Sequence, residues 1–195
     1  TGERLEPTMA GRPTLIHGDS QLFFAGMGRL SENSVVSIKN KSFSVTAEIE
    51  VPEGGAEGVI IAQGGRFGGW AVYVKEGRAK FVYNVLGIHE FATESEEPLP
   101  AGVHQVRMEF AYDGGGLAKG GAVTLYVDGA KAAEGRVDND PVALQCRQEE
   151  VQDSVDENGL MLHDDGLRVL RISDAAAASG LNSSTSTSAE PSARA

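Results

Sequence analysis

The strongest constraint on this chain is a strict two-residue alternation that begins at Phe43. Phe43, Val45, Ala47, Ile49 and Val51 fall on one face of an extended strand, with Ser44, Thr46, Glu48 and Glu50 on the other. A helical period would scatter those apolar side chains around its axis, so the pattern demands a sheet with one dry face. Pro52 has no N–H to give a ladder and ends the strand, and Gly54-Gly55 opens a turn. The alternation returns in Val106, Met108 and Phe110, and again in Val123, Leu125 and Val127.

Ala71–Lys75 and Arg78–Asn84 flank Glu76-Gly77. Gly77 takes positive φ at little steric cost, which predicts a tight hairpin. Asp128-Gly129, between Thr124–Val127 and Lys131–Val137, predicts a second. Further short strands are expected at Val35–Ile38, Gly58–Ala62 and Ile88–Thr93. Many short strands, glycine-rich turns and the lack of a strong amphipathic helix predict an all-β fold. The expected architecture is a lectin-like or jelly-roll β-sandwich, whose two sheets bury their apolar faces against each other.

Residues 1–10 read as a linker or arm and residues 11–137 as the sandwich. Residues 138–174 form a divergent region whose order the sequence leaves open. Within it Gly166–Ile172 reads as one short strand, a poor amphipath because Leu167, Val169 and Arg171 alternate with Arg168, Leu170 and Ile172. From Ala175 the chain is alanine-rich and then built from Ser and Thr over Ser183–Ser188. Such a segment has little apolar surface to offset its ordering entropy, so residues 175–195 are expected to be a disordered tail. If the sandwich is incomplete, lacking its closing strand, the neighbouring strand presents an open edge that invites self-association.

The formal charge is −11, from 28 acidic and 17 basic residues. That balance repels phosphate backbones and anionic lipid, and Arg66, Arg78, Lys80 and Arg107 are scattered along the chain. Neither nucleic acid nor a membrane is an expected partner; the longest apolar runs, such as Gly58–Ala62, are strand-sized. A single cysteine, Cys146, excludes an internal disulfide framework and leaves the compartment open, cytoplasm or periplasm.

Reaction centres are harder to find. The run Gln63-Gly64-Gly65-Arg66-Phe67-Gly68-Gly69-Trp70 lacks the Gly-Lys-Ser/Thr ending of a phosphate-binding loop. It reads as a glycine-rich loop with Phe67 and Trp70 packing the sheet edge, and its functional rival is a rim on which Arg66, Phe67 and Trp70 contact a glycan or a partner. His17, His89, His104 and His163 show no dense metal-ligand spacing. Asp138-Asn139-Asp140 and Asp164-Asp165 read as solvated loops rather than calcium ligands, and Cys146 as an incidental thiol.

Several segments together resemble the C-terminal accessory region of bacterial arylsulfatases. They are Gly11-Arg12-Pro13, Gly26–Asn33, Lys39-Asn40-Lys41-Ser42, Gln63–Trp70, Tyr83–Gly87, Phe110–Gly116, Lys119-Gly120-Gly121 and Leu125–Gly129. The resemblance covers roughly Gly11 to Val137. It implies a β-sandwich that follows a sulfatase core, with the chemistry upstream: a formylglycine made from Cys or Ser in Cys/Ser-x-Pro/Ala-x-Arg, and a divalent cation, usually calcium. Neither Cys146-Arg147-Gln148-Glu149-Glu150 nor Ser192-Ala193-Arg194 matches that motif, and the family pattern stops after Val137. The expected function is therefore that of a non-catalytic accessory domain or fragment packing against a sulfatase catalytic domain, with no cofactor of its own. The alternatives are a free carbohydrate-binding module and a structural interaction domain.

Overall fold

The computed structural model describes residues 15–25, 27–31, 34–65, 68–85, 87–116, 119–138, 160–162 and 167–174. Among them are eleven strands: β1 (Ser20–Phe24), β2 (Phe43–Val51), β3 (Gly58–Gly65), β4 (Gly68–Lys75), β5 (Arg78–Val85), β6 (His89–Glu94), β7 (Gly102–Tyr112), β8 (Gly121–Val127), β9 (Ala130–Val137), β10 (Leu160–Leu162) and β11 (Leu167–Asp174). They form two antiparallel sheets, one in the order β1-β11-β2-β7-β8-β9 and the other β10-β3-β4-β5-β6. This is an all-β, lectin-like jelly-roll sandwich.

The alternation of β2 dictates its register. Phe43, Val45, Ala47, Ile49 and Val51 are all buried, and their neighbours on β7 include Phe110, Met108 and Val106. Val123 and Leu125 continue the dry rows onto β8. From the second sheet Ile61, Val72 and Phe81 stand in one cross-strand row and meet this face, all of them essentially inaccessible. Fully burying such a side chain stabilises by about 1.5–3 kcal/mol.

Both two-residue hairpins follow from their turn residues. Glu76 and Gly77 have φ of 55° and 74°, and Asp128 and Gly129 have 50° and 82°. Two successive left-handed residues match the right-handed twist of the strands they join.

Three expectations change. Val35–Ile38 is not a strand; Val35, Val36 and Ile38 are buried from a loop, with Val36 N donating to Gln21 Oε1 at 3.0 Å. Apolar content there signals burial rather than extension. The strand β1 was not expected, and it buries Phe23 while leaving Leu22 and Phe24 exposed.

The third change concerns the far end of the chain. Leu167–Asp174, in the region whose order the sequence leaves open, lies inside the larger sheet, between β1 and β2. A register shift between Leu167 and Val169 absorbs the imperfect alternation. Beyond it Leu170 stands opposite Ala47 and Phe23, and Ile172 opposite Val45, the dry rows of the flanking strands. Arg171 and Ser173 take the rows of Thr46 and Ser44. The edge of β2 is thereby paired, and β1 and β9 are the outer strands of this sheet among the described residues. The expectations for residues 1–10 and 175–195 lie outside the described residues.

The sheets meet along β6 and β9. Glu96 N donates to Ala132 O at 3.2 Å, and Gly135 packs so tightly on Thr93 that a Cβ there would lie 2.0 Å from Oγ1. Ser95 holds this seam from below: its hydroxyl accepts from Ala79 N at 3.1 Å and donates to Glu97 O at 2.9 Å.

Candidate functional site

One end of the sandwich gathers the segments that sequence reasoning singled out. The start of β2, the end of β7 and the start of β4 lie together there, tied by aromatic rings. Phe43 sits 5.4 Å from Trp70 and 5.5 Å from Phe110, centroid to centroid, and Phe110 is 6.4 Å from Tyr112. Tilted pairs of this kind add about 0.5–1.5 kcal/mol each beyond the area they bury.

The glycine-rich run is strand on both sides of its tip rather than a loop: β3 runs to Gly65 and β4 resumes at Gly68. Gly64 and Gly69 are register partners with φ of 96° and 143°. A Cβ on Gly64 would lie 2.2 Å from Gly68 O, and one on Gly69 the same distance from Gln63 O. The hairpin closes only because both positions lack a side chain. Trp70, read from the sequence as packing the sheet edge with a contact rim as the rival, is 8% exposed and its Nε1 donates to Gln63 Oε1 at 3.1 Å. It is part of the floor under this end and offers no stacking face to solvent. Arg66 and Phe67, the other two candidate contacts, lie outside the described residues.

Above this floor two loops converge on one phenol. Tyr112 Oη donates to Gly116 O at 2.6 Å and accepts from Lys119 N at 3.0 Å, with Asn40 Oδ1 3.3 Å away. A phenol has a single proton, and the short contact to Gly116 takes it. Tyr112 N donates to Ser42 Oγ at 2.9 Å. The loop from Asp113 to Gly120 is further closed by Asp113 N to Gly120 O at 3.1 Å, and Arg136 pairs with Asp113 and Asp138. The turn between β5 and β6 completes this end. Asn84 Oδ1 accepts from Gly87 N at 2.8 Å, and Ile88 stands 65% exposed beside it.

Sequence reasoning missed Tyr112 and Asn40 as members of a site. The segments carrying them, Lys39–Ser42 and Phe110–Gly116, were visible as family-like pieces, but their meeting depends on the β2–β7 register.

Elsewhere His104 is structural. Its Nδ1 lies 2.7 Å from Asp128 Oδ2 and its Nε2 3.0 Å from Pro100 O. Asp128 Oδ1 accepts from Gln105 N at 2.8 Å, and this bond, with the one to His104, holds the Asp128 carboxyl below its ordinary pKa. On the outer face of the large sheet Arg107 lies 5.9 Å from the Tyr126 ring and pairs with Glu109. His17 and His89 are exposed. His163, Cys146 and the acidic pair at 164–165 lie outside the described residues. Among the described residues, no group of three or more His, Cys, Asp or Glu side chains is placed to hold a metal, and no helix is long and apolar enough to cross a membrane.

The architecture defines a class, the lectin-like β-sandwich. No family model matches the chain, and neither does any curated protein. Among solved structures, domains LG4-5 of the mouse laminin alpha1 chain are 15% identical with a TM-score of 0.42, over 79% of this chain and 31% of that one. The botulinum neurotoxin type G receptor binding domain is 14% identical with a TM-score of 0.43, over 81% and 41%. The binding domain of Paraclostridial Mosquitocidal Protein 1 is 11% identical with a TM-score of 0.43, over 85% and 44%. The chain spans less than half the length of each of these.

Proposed function

We propose that this chain is a non-catalytic binding domain that takes a glycan at the Tyr112 end of its sandwich. The observation that carries the reading is the convergence of the 39–42 and 113–120 loops on the Tyr112 hydroxyl, over an aromatic floor. A ligand rich in hydroxyls needs polar groups held in place before it arrives, because ordering loops on binding subtracts from affinity. Backbone groups of the exposed residues Gly115 and Gly116 are donors and acceptors of the kind sugars use. A calorimetric screen against neutral and charged oligosaccharides tests the reading. Saturable binding to at least one class is expected, and silence across all of them would remove it.

A second reading has its own support. Leu22 and Phe24 are each 53% exposed on the outer face of β1, and Met27 beside them is exposed as well. An apolar strip at a sheet edge fits burial against another protein domain. With the resemblance to the arylsulfatase accessory region, it favours packing on a sulfatase catalytic core. Co-purification with a separately made sulfatase core is the test; Leu22→Glu combined with Phe24→Glu should abolish it.

A further inference from the structure

We infer that His104 is a proton-dependent latch: as an imidazolium it ties the β6–β7 connection to the β8–β9 turn, and as a neutral imidazole it releases the connection. The inference is independent of the glycan reading and rests on what the two ring nitrogens face. Nδ1 lies 2.7 Å from Asp128 Oδ2, and Nε2 lies 3.0 Å from Pro100 O. Both partners are acceptors. A backbone carbonyl has no proton to give, and the Asp128 carboxyl is held ionised by the amide of Gln105 and then by His104 itself. An imidazolium has two N–H donors and satisfies both partners. A neutral imidazole has one, so its other nitrogen turns a lone pair on an acceptor. The proton that stays belongs on Nδ1, where the acceptor is charged and the bond is the stronger of the two. Pro100 is therefore the side that lets go. The His104 side chain is only 11% exposed, which leaves little water to replace the lost bond.

The connection has one fixed end and one latched end. At its start Arg78 donates to the carbonyls of Ser95 and Glu96, and the buried Ser95 hydroxyl accepts from Ala79 N at 3.1 Å. None of these groups titrates near neutrality. Farther on, Leu99 is buried and its N–H donates to Gly77 O at 2.7 Å; the next residue along carries the carbonyl that His104 holds. On β2, Ile49 stands opposite His104, while Glu48 and Glu50 belong to the outer rows. The connection itself bears Glu96 and Glu97, and the turns of the second sheet bear Glu53, Glu57 and Glu76, with Glu57 Oε1 accepting from Glu76 N. Among the cations of these elements, Lys80 pairs with Glu94, Lys131 with Glu134 and Arg107 with Glu109, while Lys75 stands opposite Arg78 in the β4–β5 register. Asp128 is the carboxylate in contact with the ring, and the latch closes through it.

The experiment is NMR on the full chain at about pH 5.5 and about pH 8.5, on either side of the range in which imidazoles titrate. It reads the protons on the His104 ring nitrogens and the protection of backbone amides, corrected for intrinsic exchange rates. At the lower pH both nitrogens should carry a proton, and at the higher pH Nδ1 alone. Protection of the Leu99 amide should fall about fivefold between the two, the equivalent of one net hydrogen bond, with Ala79 and Ser95 unchanged. Two substitutions drive the latch in opposite directions. In Asp128→Asn the side-chain oxygen still accepts from Gln105 N while its NH2 donates to Nδ1. Neutral His104 then keeps its proton on Nε2 for Pro100 O, so Leu99 should stay protected at both pH values. His104→Gln has no second donor group to span both partners, and Leu99 should be as weakly protected at the lower pH as at the higher. Ala79 protection equal to that of the parent in each variant separates release of the connection from loss of the fold. A proton on Nε2 of the parent at the higher pH would overturn the inference. So would a fall in Leu99 protection that persists in Asp128→Asn.

Discussion

The hydroxyl of Tyr112 meets a carbonyl, an amide and a side chain that belong to two loops more than seventy residues apart in sequence at their widest. Tyr112→Phe keeps the ring against Phe110 and removes only those contacts. Net hydrogen bonds contribute about 0.5–1.5 kcal/mol each, so a stability loss of roughly 1–2 kcal/mol is expected by denaturant titration. Ligand affinity should fall with it, because the loops then have to be ordered on binding. Asp128 gives a pH-dependent counterpart. Its folded-state pKa lies below the unfolded value of 3.8, so its contribution is complete above that value and is lost as pH falls through the lower folded pKa. Melting curves below about pH 4 should therefore fall more steeply for the parent than for Asp128→Asn, which keeps a turn-forming residue without the titrating charge. Equal slopes would remove the carboxylate from this account. At this scale the turn pair Asp128-Gly129 was readable because its chemistry is local. Trp70 was left between packing and a contact rim, because an aromatic residue in a glycine-rich run carries no sign of whether it faces in or out.

At the scale of elements, the strands with strict alternation, β2, β7 and β8, were legible, since one dry face leaves a single register. β11 was harder. Its alternation is broken by a register shift near Arg168, and its place between β1 and β2 depends on rows set by residues more than a hundred positions away. Leu170 occupies the row of buried Phe23 and Ala47, whereas Arg171 occupies that of Thr46. Leu170→Lys should consequently lower the melting temperature sharply and Arg171→Gln should barely move it; the reverse order would contradict this register. The β6–β9 seam makes a similar prediction. Gly135→Ala forces a methyl onto Thr93 Oγ1 and should cost about 1–3 kcal/mol, with part of that recovered when Thr93→Ala is added. Additive losses in the double variant would mean the two strands do not touch there.

Across the whole molecule the two ends of the sandwich differ in kind. One end is a set of turns that draw glutamates together around Ser95, Leu99 and Asp128. The other carries loops pinned to Tyr112 over buried rings, and it is this end that the account makes the binding site. Composition pointed only to an acidic average, because the loops of this end are brought together by topology and not by sequence proximity. The family-like segments that drew attention in the sequence cluster largely at this end, yet their joint placement was legible only once β2 and β7 were aligned. The most direct measurement is an amide chemical-shift titration of the full chain with the oligosaccharide that binds most tightly in the calorimetric screen. The account predicts saturable shifts concentrated in residues 39–42, 64–69, 84–89 and 112–120, with β9 and the Asp128 turn unmoved. Shifts concentrated instead on the outer face around Arg107 and Tyr126, or around Leu22 and Phe24, would contradict it.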